Sequence, residues 1–97
     1  MMQHTQEQIM LELAEILGDF GGRQYGGRIT PETMFSRDLG FASIDAVVLG
    51  EEIELHYGRT LPFGQFLAEL GRQNARDIEI GALAEFLEEH LNQPQEV

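Results

Sequence analysis

The chain has no cysteine and few positive charges, and each of these absences excludes a class of function. Without cysteine there is no disulfide, no thiolate metal site and no thiol nucleophile. Six basic residues against 17 acidic ones leave a net charge of −11. That charge argues against binding to nucleic acid or to an anionic membrane, and it favours basic protein partners.

Long apolar stretches are also missing from the sequence. No run approaches the length of a membrane-spanning helix. Residues 1–8 have neither the basic region nor the apolar region of a secretory signal. We therefore expect a cytoplasmic protein. At 97 residues the chain has the size of a single domain, with about residues 5–91 ordered between short flexible tails.

Motifs for catalysis, for metal binding and for nucleotide binding are not found. His4, His56 and His90 lie far apart, so no pair has the spacing of a zinc-binding helix. There is no calcium-loop pattern and no G-x-S-x-G nucleophile elbow. The glycine-rich stretch at residues 21–27 lacks the lysine and hydroxyl residue of a phosphate-binding loop, and we interpret it as a flexible connection. The sequence predicts a non-catalytic protein without a metal site.

The spacing of apolar residues predicts four helices. The first begins at Thr5, which forms a capping-box pattern with Gln8, and ends near Gly18. The second ends before a glycine that suits a left-handed cap, and the third is short. We expect the last three helices over Ser43–Tyr57, Phe63–Leu70 and Ile80–Leu91.

An all-α fold follows, a four-helix bundle with a short third helix and a long loop between helices one and two. One face of the second helix is expected in the core, and it comprises Ala46, Leu49, Gly50, Ile53 and Tyr57. The other side mixes apolar and acidic residues, a pattern that monomers rarely expose without a use. That side contains Ile44, Val47, Val48, Glu51, Glu54 and Leu55.

Ser43 stands directly before the second helical run. A serine at this place is expected to be the helix N-cap, because its oxygen can accept a hydrogen bond from a free backbone N–H group. The free N–H groups and the helix dipole also favour an anion there. An anionic group at Ser43 would therefore be well tolerated.

The sequence around this serine resembles a known modification site. Residues 39–44 read LGFASI, and Asp45 and an acidic helix follow. This resembles the acyl carrier protein family, whose signature is L-G-x-D-S-[L/I], and helix order, size and acidity extend the resemblance over about residues 5–91. It implies a monomeric four-helix bundle of acyl-carrier type in which Ser43 carries a 4′-phosphopantetheine arm. A phosphopantetheinyl transferase would transfer that arm from coenzyme A, and the arm would hold acyl intermediates as thioesters for fatty acid or polyketide biosynthesis.

The resemblance also implies how the chain meets its partners. The second helix is expected to dock on basic-surfaced synthase, acyltransferase or ligase enzymes, while nucleic acid and membranes are not expected partners. Gly50 and the third helix would border a cleft that shelters the acyl chain. The expected docking residues are Asp38, Ile44, Asp45, Val47, Val48, Glu51, Glu52 and Glu54.

One residue departs from the family pattern, since Ala42 stands where the family has aspartate. The family aspartate helps to present the serine to the transferase, so alanine predicts slower modification or a dedicated transferase. Two alternatives stay open. One is a peptidyl or aminoacyl carrier protein of nonribosomal synthesis, and the other is an unmodified acidic helical adaptor. We expect the substitution Ala42→Asp to change thermal stability little.

Overall fold

The computed structural model describes residues 4–20, the backbone of residues 23 and 24, and residues 27–93. Most of the predicted flexible loop at residues 21–27, and the outermost residues of the predicted tails, lie outside this part. Within it the chain forms four helices, as predicted. They are α1 (Gln6–Gly18), α2 (Ser43–Tyr57), α3 (Phe63–Arg72) and α4 (Ile80–Leu91), and α3 is the shortest with 10 residues.

Local capping signals set the helix ends where the sequence predicted them. The Thr5 hydroxyl accepts a hydrogen bond from the Gln8 N–H at 3.1 Å, which satisfies a first-turn donor of α1. Gly58 after α2 has a φ of 69°, a left-handed conformation that glycine adopts without steric cost. Its N–H donates to the carbonyl of Glu54 at 2.8 Å. The ends of α1 and α2 therefore follow from neighbouring residues alone.

A short β-ladder follows α1, where the sequence predicted only loop. Strand β1 (Asp19–Phe20) pairs antiparallel with β2 (Arg23–Gln24), and Asp19 lies opposite Gln24. Each strand has two residues, which is too short to produce a recognisable alternation of polar and apolar side chains.

The core lies between α1, α2 and α4 and is completed by residues of the long connection. Helices α1 and α4 pack directly on each other. On α2 the predicted core face is confirmed, except that Tyr57 is only half-buried and donates its hydroxyl hydrogen to Glu12. The most deeply buried core side chains are Ile9, Leu13, Leu17, Phe35, Leu49, Ile53, Ile80, Leu83, Ala84 and Leu87.

Helix α3 covers the bundle without burying any side chain completely. Its apolar residues are half-buried against the core, and they are Phe63, Phe66, Leu67 and Leu70. A Cβ atom at Gly50 would lie 3.2 Å from the ring of Phe63. The absence of a side chain at Gly50 therefore lets α3 approach α2 closely.

The connection before α2 is fixed to the start of α4. Phe35 donates its N–H to the carbonyl of Ile78 at 2.9 Å, and Ile80 donates to Thr33 at 2.9 Å. Gly81 donates to the carbonyl of Pro31 at 2.8 Å. These bonds join segments that are distant in sequence, so the position of the chain that leads into α2 depends on α4.

The two ends of the described fold also meet. Residue His4 donates its N–H to the side-chain oxygen of Asn92, and the Asn92 amide donates back to the His4 carbonyl, both at 2.8 Å. Both residues fall in the segments that the sequence predicted as tails. In the described part of the chain, no helix has both the length and the apolar character needed to cross a membrane.

Candidate functional site

A compact turn carries the chain into Ser43. Met34 accepts hydrogen bonds on its carbonyl from the N–H groups of Asp38 and Leu39, at 3.0 and 3.2 Å. Gly40 has a φ of 77°, in the left-handed region that favours glycine. The leucine and glycine of the recognised motif therefore have structural roles, since one is buried in the core and the other allows the turn.

A cluster of three aromatic rings packs together at the same turn. The ring of Phe41 stacks on that of Phe35, with centroids 5.0 Å apart, and meets Phe20 edge-on at 5.1 Å. All three rings are buried. Because Phe41 lies two residues before Ser43, its burial limits how far the serine can move.

Ser43 is exposed and is the first residue inside α2, not its N-cap. The capping prediction was wrong because Ala42 occupies the cap position, with φ −83° and ψ 162°. Ala42 has no side-chain acceptor, and Asp45 compensates in part by accepting the Ala42 N–H on its carboxylate at 2.9 Å. The Ser43 hydroxyl, which makes no hydrogen bond to another described residue, is thus not committed to capping.

Ser43 lies at the edge of a largely apolar cleft of about 280 Å³, which we call the serine cleft. Helix α3 forms one wall and the segment before α4 forms another. Arg76 is the basic residue of its lining. The lining residues are Phe35, Ser36, Ser43, Ala46, Leu67, Leu70, Gly71, Ala75, Arg76, Asp77 and Ile78.

A second cleft of about 290 Å³ follows the seam between α2 and α3. Gly50 and Phe63 line it, in agreement with the expectation that this glycine and the third helix border a cleft. Leu67 lines both clefts. The two clefts therefore meet at Leu67, one beside Ser43 and the other beside Gly50.

The exposed side of α2 carries the apolar residues that the sequence assigned to docking. Ile44, Val47 and Val48 are 69%, 50% and 44% exposed. Glu51 and Glu52 are exposed beside them and make no ion pair with another described residue. These five residues form a continuous surface that begins next to Ser43.

The remaining acids predicted to dock partners are held by local bonds. The Asp38 carboxylate accepts a hydrogen bond from the Met34 N–H at 2.8 Å and forms an ion pair with Arg37 at 3.1 Å. The Asp45 carboxylate accepts a hydrogen bond from the Ala42 N–H. Glu54 accepts the N–H of Leu61 at 2.6 Å. Their docking role stays a prediction, but each of these carboxylates also stabilises the backbone around the site.

Asp77 is a residue of the site that sequence reasoning missed. Its carboxylate accepts the N–H groups of Ser36 and Arg37 at 2.7 and 2.9 Å, and also that of Ile78. The sequence suggested only an acidic residue near the start of α4. No local pattern predicts a bond to Ser36, because 41 residues separate the two positions.

The bonds to Asp77 have a consequence for acid stability. Partial burial opposes ionisation, but the three N–H donors and the charge of Arg37 outweigh it and lower the pKa of Asp77 below its ordinary value. The stabilisation is complete above the unfolded-state pKa, roughly 4, and is lost as the pH falls through the lower folded-state pKa. We expect Asp77→Asn to unfold at a lower temperature than the wild type near neutral pH, and this difference to shrink below about pH 4.

Thermal unfolding followed by circular dichroism across this pH range measures the effect. Glu85→Gln, which neutralises an exposed carboxylate on α4, is the matched control and should track the wild type. A difference between Asp77→Asn and the wild type that is the same at every pH would contradict the assignment.

The N-cap residue of α2, Ala42, has no side chain that can accept a hydrogen bond, and this gives a second prediction. A serine hydroxyl at this position can accept a first-turn N–H, so Ala42→Ser should raise the free energy of unfolding by about 1 kcal/mol. Ala42→Asp should gain less, because its charge would lie close to the Asp45 carboxylate. The structure thus changes the expectation that stability is insensitive here.

Urea unfolding of the wild type, Ala42→Ser and Ala42→Asp measures these gains. The same substitution at Ala75, an exposed residue outside any helix, is a control that should give no gain. An equal gain for Ala42→Ser and Ala75→Ser would show that the cap position is not responsible.

In a comparison with known proteins, no protein-family model, curated protein or solved structure matches the chain. In the described part of the chain, no cluster of three or more histidine, aspartate or glutamate side chains could hold a metal ion. The site is therefore defined by Ser43, the serine cleft and the exposed surface of α2.

Proposed function

We propose that the chain is an acyl carrier protein, modified on Ser43 by a 4′-phosphopantetheine arm from coenzyme A. The observation that carries the proposal is the placement of an exposed serine with a free hydroxyl at the first turn of α2, on the edge of an apolar cleft. A modifying enzyme would be able to reach this hydroxyl, and the hydrogen-bonded turn before it places Ser43 at the start of α2.

The surroundings of Ser43 suit such an arm. The phosphodiester would lie at the helix N-terminus, where backbone N–H groups and the dipole favour negative charge. Arg76 is a basic candidate for contact with the phosphodiester, since Arg76 and Ser43 line the same cleft. The arm would lie against the apolar lining of the serine cleft, and the second cleft beside Gly50 would shelter a bound acyl chain. The chain itself would contribute no catalytic group.

The exposed part of α2 supports delivery to partner enzymes. Glu51 and Glu52 would meet basic residues, and Ile44, Val47 and Val48 would add apolar contact. Charge-driven encounters of this type are fast and salt-sensitive, as a carrier that visits several enzymes requires. Synthases, acyltransferases or ligases of fatty acid or polyketide biosynthesis are the proposed partners.

The experiment is intact-mass measurement after incubation with coenzyme A and a broad-specificity phosphopantetheinyl transferase. We expect the wild type to gain one phosphopantetheine and Ser43→Ala to gain nothing. Ser36→Ala is a matched control, because Ser36 is the only other serine of the chain and lines the same cleft. A gain by Ser43→Ala, or its loss in a folded Ser36→Ala, would contradict the assignment to Ser43.

No gain by the folded wild type would leave a dedicated transferase or an unmodified adaptor. Ala42→Asp distinguishes these two outcomes, since it restores the family residue at the cap position. Rapid modification of this variant would indicate a carrier with a dedicated transferase. No modification of either form would favour the adaptor, for which the exposed apolar side of α2 is the binding surface.

A further inference from the structure

Leu67 lies at the boundary between the serine cleft and the second cleft. On α3, Phe63 lines the second cleft and Leu70 lines the serine cleft, and Leu67 lies between them in the helix. The two clefts share Leu67 and no other described residue. The side chain of Leu67 is half-buried against the core, so it occupies the place where the two clefts meet.

Helix α2 gives the same order along the other wall. Ala46 lines the serine cleft, and Gly50, one helical turn further from Ser43, lines the second cleft. Residues four apart lie on the same face of a helix and are separated by about 6 Å along its axis. The second cleft is therefore the next turn along α2, and Leu67 forms the end of it that is nearer to Ser43.

The lining of the second cleft suits a short and neutral apolar chain. Glu51 and Glu54 are the polar side chains of this lining, and it contains no basic residue that could pair with an anion. A negatively charged ligand would lie beside two carboxylates of a chain that already has a net charge of −11. The volume of about 290 Å³ is just below the roughly 300–1,000 Å³ that is usual for ligand pockets, so a long chain does not fit.

We infer that Leu67 sets the longest acyl chain that the second cleft can shelter, and that the sheltered acyl group is neutral. This inference rests on the proposed function, because the acyl group is the one that an arm on Ser43 would carry. A longer chain would have to displace the Leu67 side chain or leave its end in water. Leu67 is thus a specificity-determining residue for the length of the cargo.

Binding of free thioesters to the unmodified chain tests this role. The probes are N-acetylcysteamine thioesters of straight acyl chains, followed by the shifts of backbone amide signals in NMR titrations. Over a series of roughly 4 to 12 carbons, the affinity should rise about fourfold for each added methylene and stop rising once the cleft is full. The amides of Gly50 and Gly64, which line the second cleft, should shift.

The variant Leu67→Ala should move this limit to longer chains. Without the leucine side chain the second cleft would open into the serine cleft, and the rise in affinity should continue for about four more carbons, which span the ~6 Å of one turn of α2. The amide of Ala46 should then shift as well. Leu67→Val removes less of the side chain and should give a smaller change in the same direction, so the test holds even if Leu67→Ala fails to fold.

Leu70→Ala is the matched control. It removes the same atoms from the same helix, but Leu70 lines only the serine cleft, so the length limit should stay where it is in the wild type. A thioester of equal length that ends in a carboxylate tests the charge. It should bind more weakly than the neutral probe, and the difference should shrink at high salt.

Four outcomes would overturn the inference. They are no binding of any probe, the same length limit in the wild type and both Leu67 variants, an equal shift of the limit in Leu70→Ala, and equal binding of the neutral and carboxylate-ended probes. Because the probes are free molecules, none of these results depends on modification of Ser43. A failure of modification would remove the carrier function, whereas an unchanged limit in a chain that is modified would remove only the role of Leu67.

Discussion

Replacing Phe35 with alanine should lower the free energy of unfolding by about 3–5 kcal/mol, the usual cost of removing a buried phenylalanine. The side chain is 1% exposed, and its ring stacks on that of Phe41. Native domains have only about 5–15 kcal/mol of stability in total, so this variant would lie close to unfolding. Urea denaturation at equilibrium measures the loss through the shift in its midpoint.

Two further variants make this result interpretable. Phe35→Leu keeps most of the buried volume and should cost much less, so that a folded protein is available even if Phe35→Ala fails to fold. Phe66→Ala removes a half-buried ring of α3 and should also cost less than Phe35→Ala. Equal losses for Phe35→Ala and Phe66→Ala would show that Phe35 is not a central part of the core.

Gly81→Ala should destabilise the protein by up to about 2 kcal/mol, although alanine usually favours a helix. An added Cβ would lie 2.8 Å from the carbonyl oxygen of Pro31 and 2.9 Å from its Cβ. The backbone of the long connection would have to move, and overpacking of this kind costs about 1–3 kcal/mol. The gain in helix propensity, about 1 kcal/mol, offsets only part of that cost. Thermal and urea unfolding measure the net effect.

Gly64→Ala is the matched control for Gly81→Ala. Gly64 lies in α3, and a Cβ there would meet no atom within 4 Å. Only the propensity gain should remain, so this variant should be neutral or more stable by up to about 1 kcal/mol. If both glycine variants shifted stability in the same direction, the close approach of Gly81 to Pro31 would not be a determinant of stability.

The helices were predictable because their signals are local. Thr5 and Gln8 lie three residues apart, and Gly58 directly follows the apolar stripe of α2. The exact place of Ser43 was not predictable, since the apolar stripe fixes the face of a helix but not which residue is its cap. Ala42, a residue with no capping side chain, holds that position.

The candidate site was predictable only in part, for a related reason. The motif around Ser43 and the exposed side of α2 could be read from a short stretch of sequence. The serine cleft could not, because Leu67, Ala75 and Ile78 reach it from distant parts of the chain.

The bonds between Asp77 and the turn at Ser36 and Arg37 also bear on the order of events during synthesis. The turn that presents Ser43 is completed by a residue that the ribosome adds 41 positions after Ser36. Closing a loop of that size carries an entropy cost that only the finished contacts offset. A nascent chain ending before Asp77 therefore lacks the support of this turn. The turn that leads into Ser43 gains these bonds only after Asp77 has been added and has folded back onto Ser36 and Arg37.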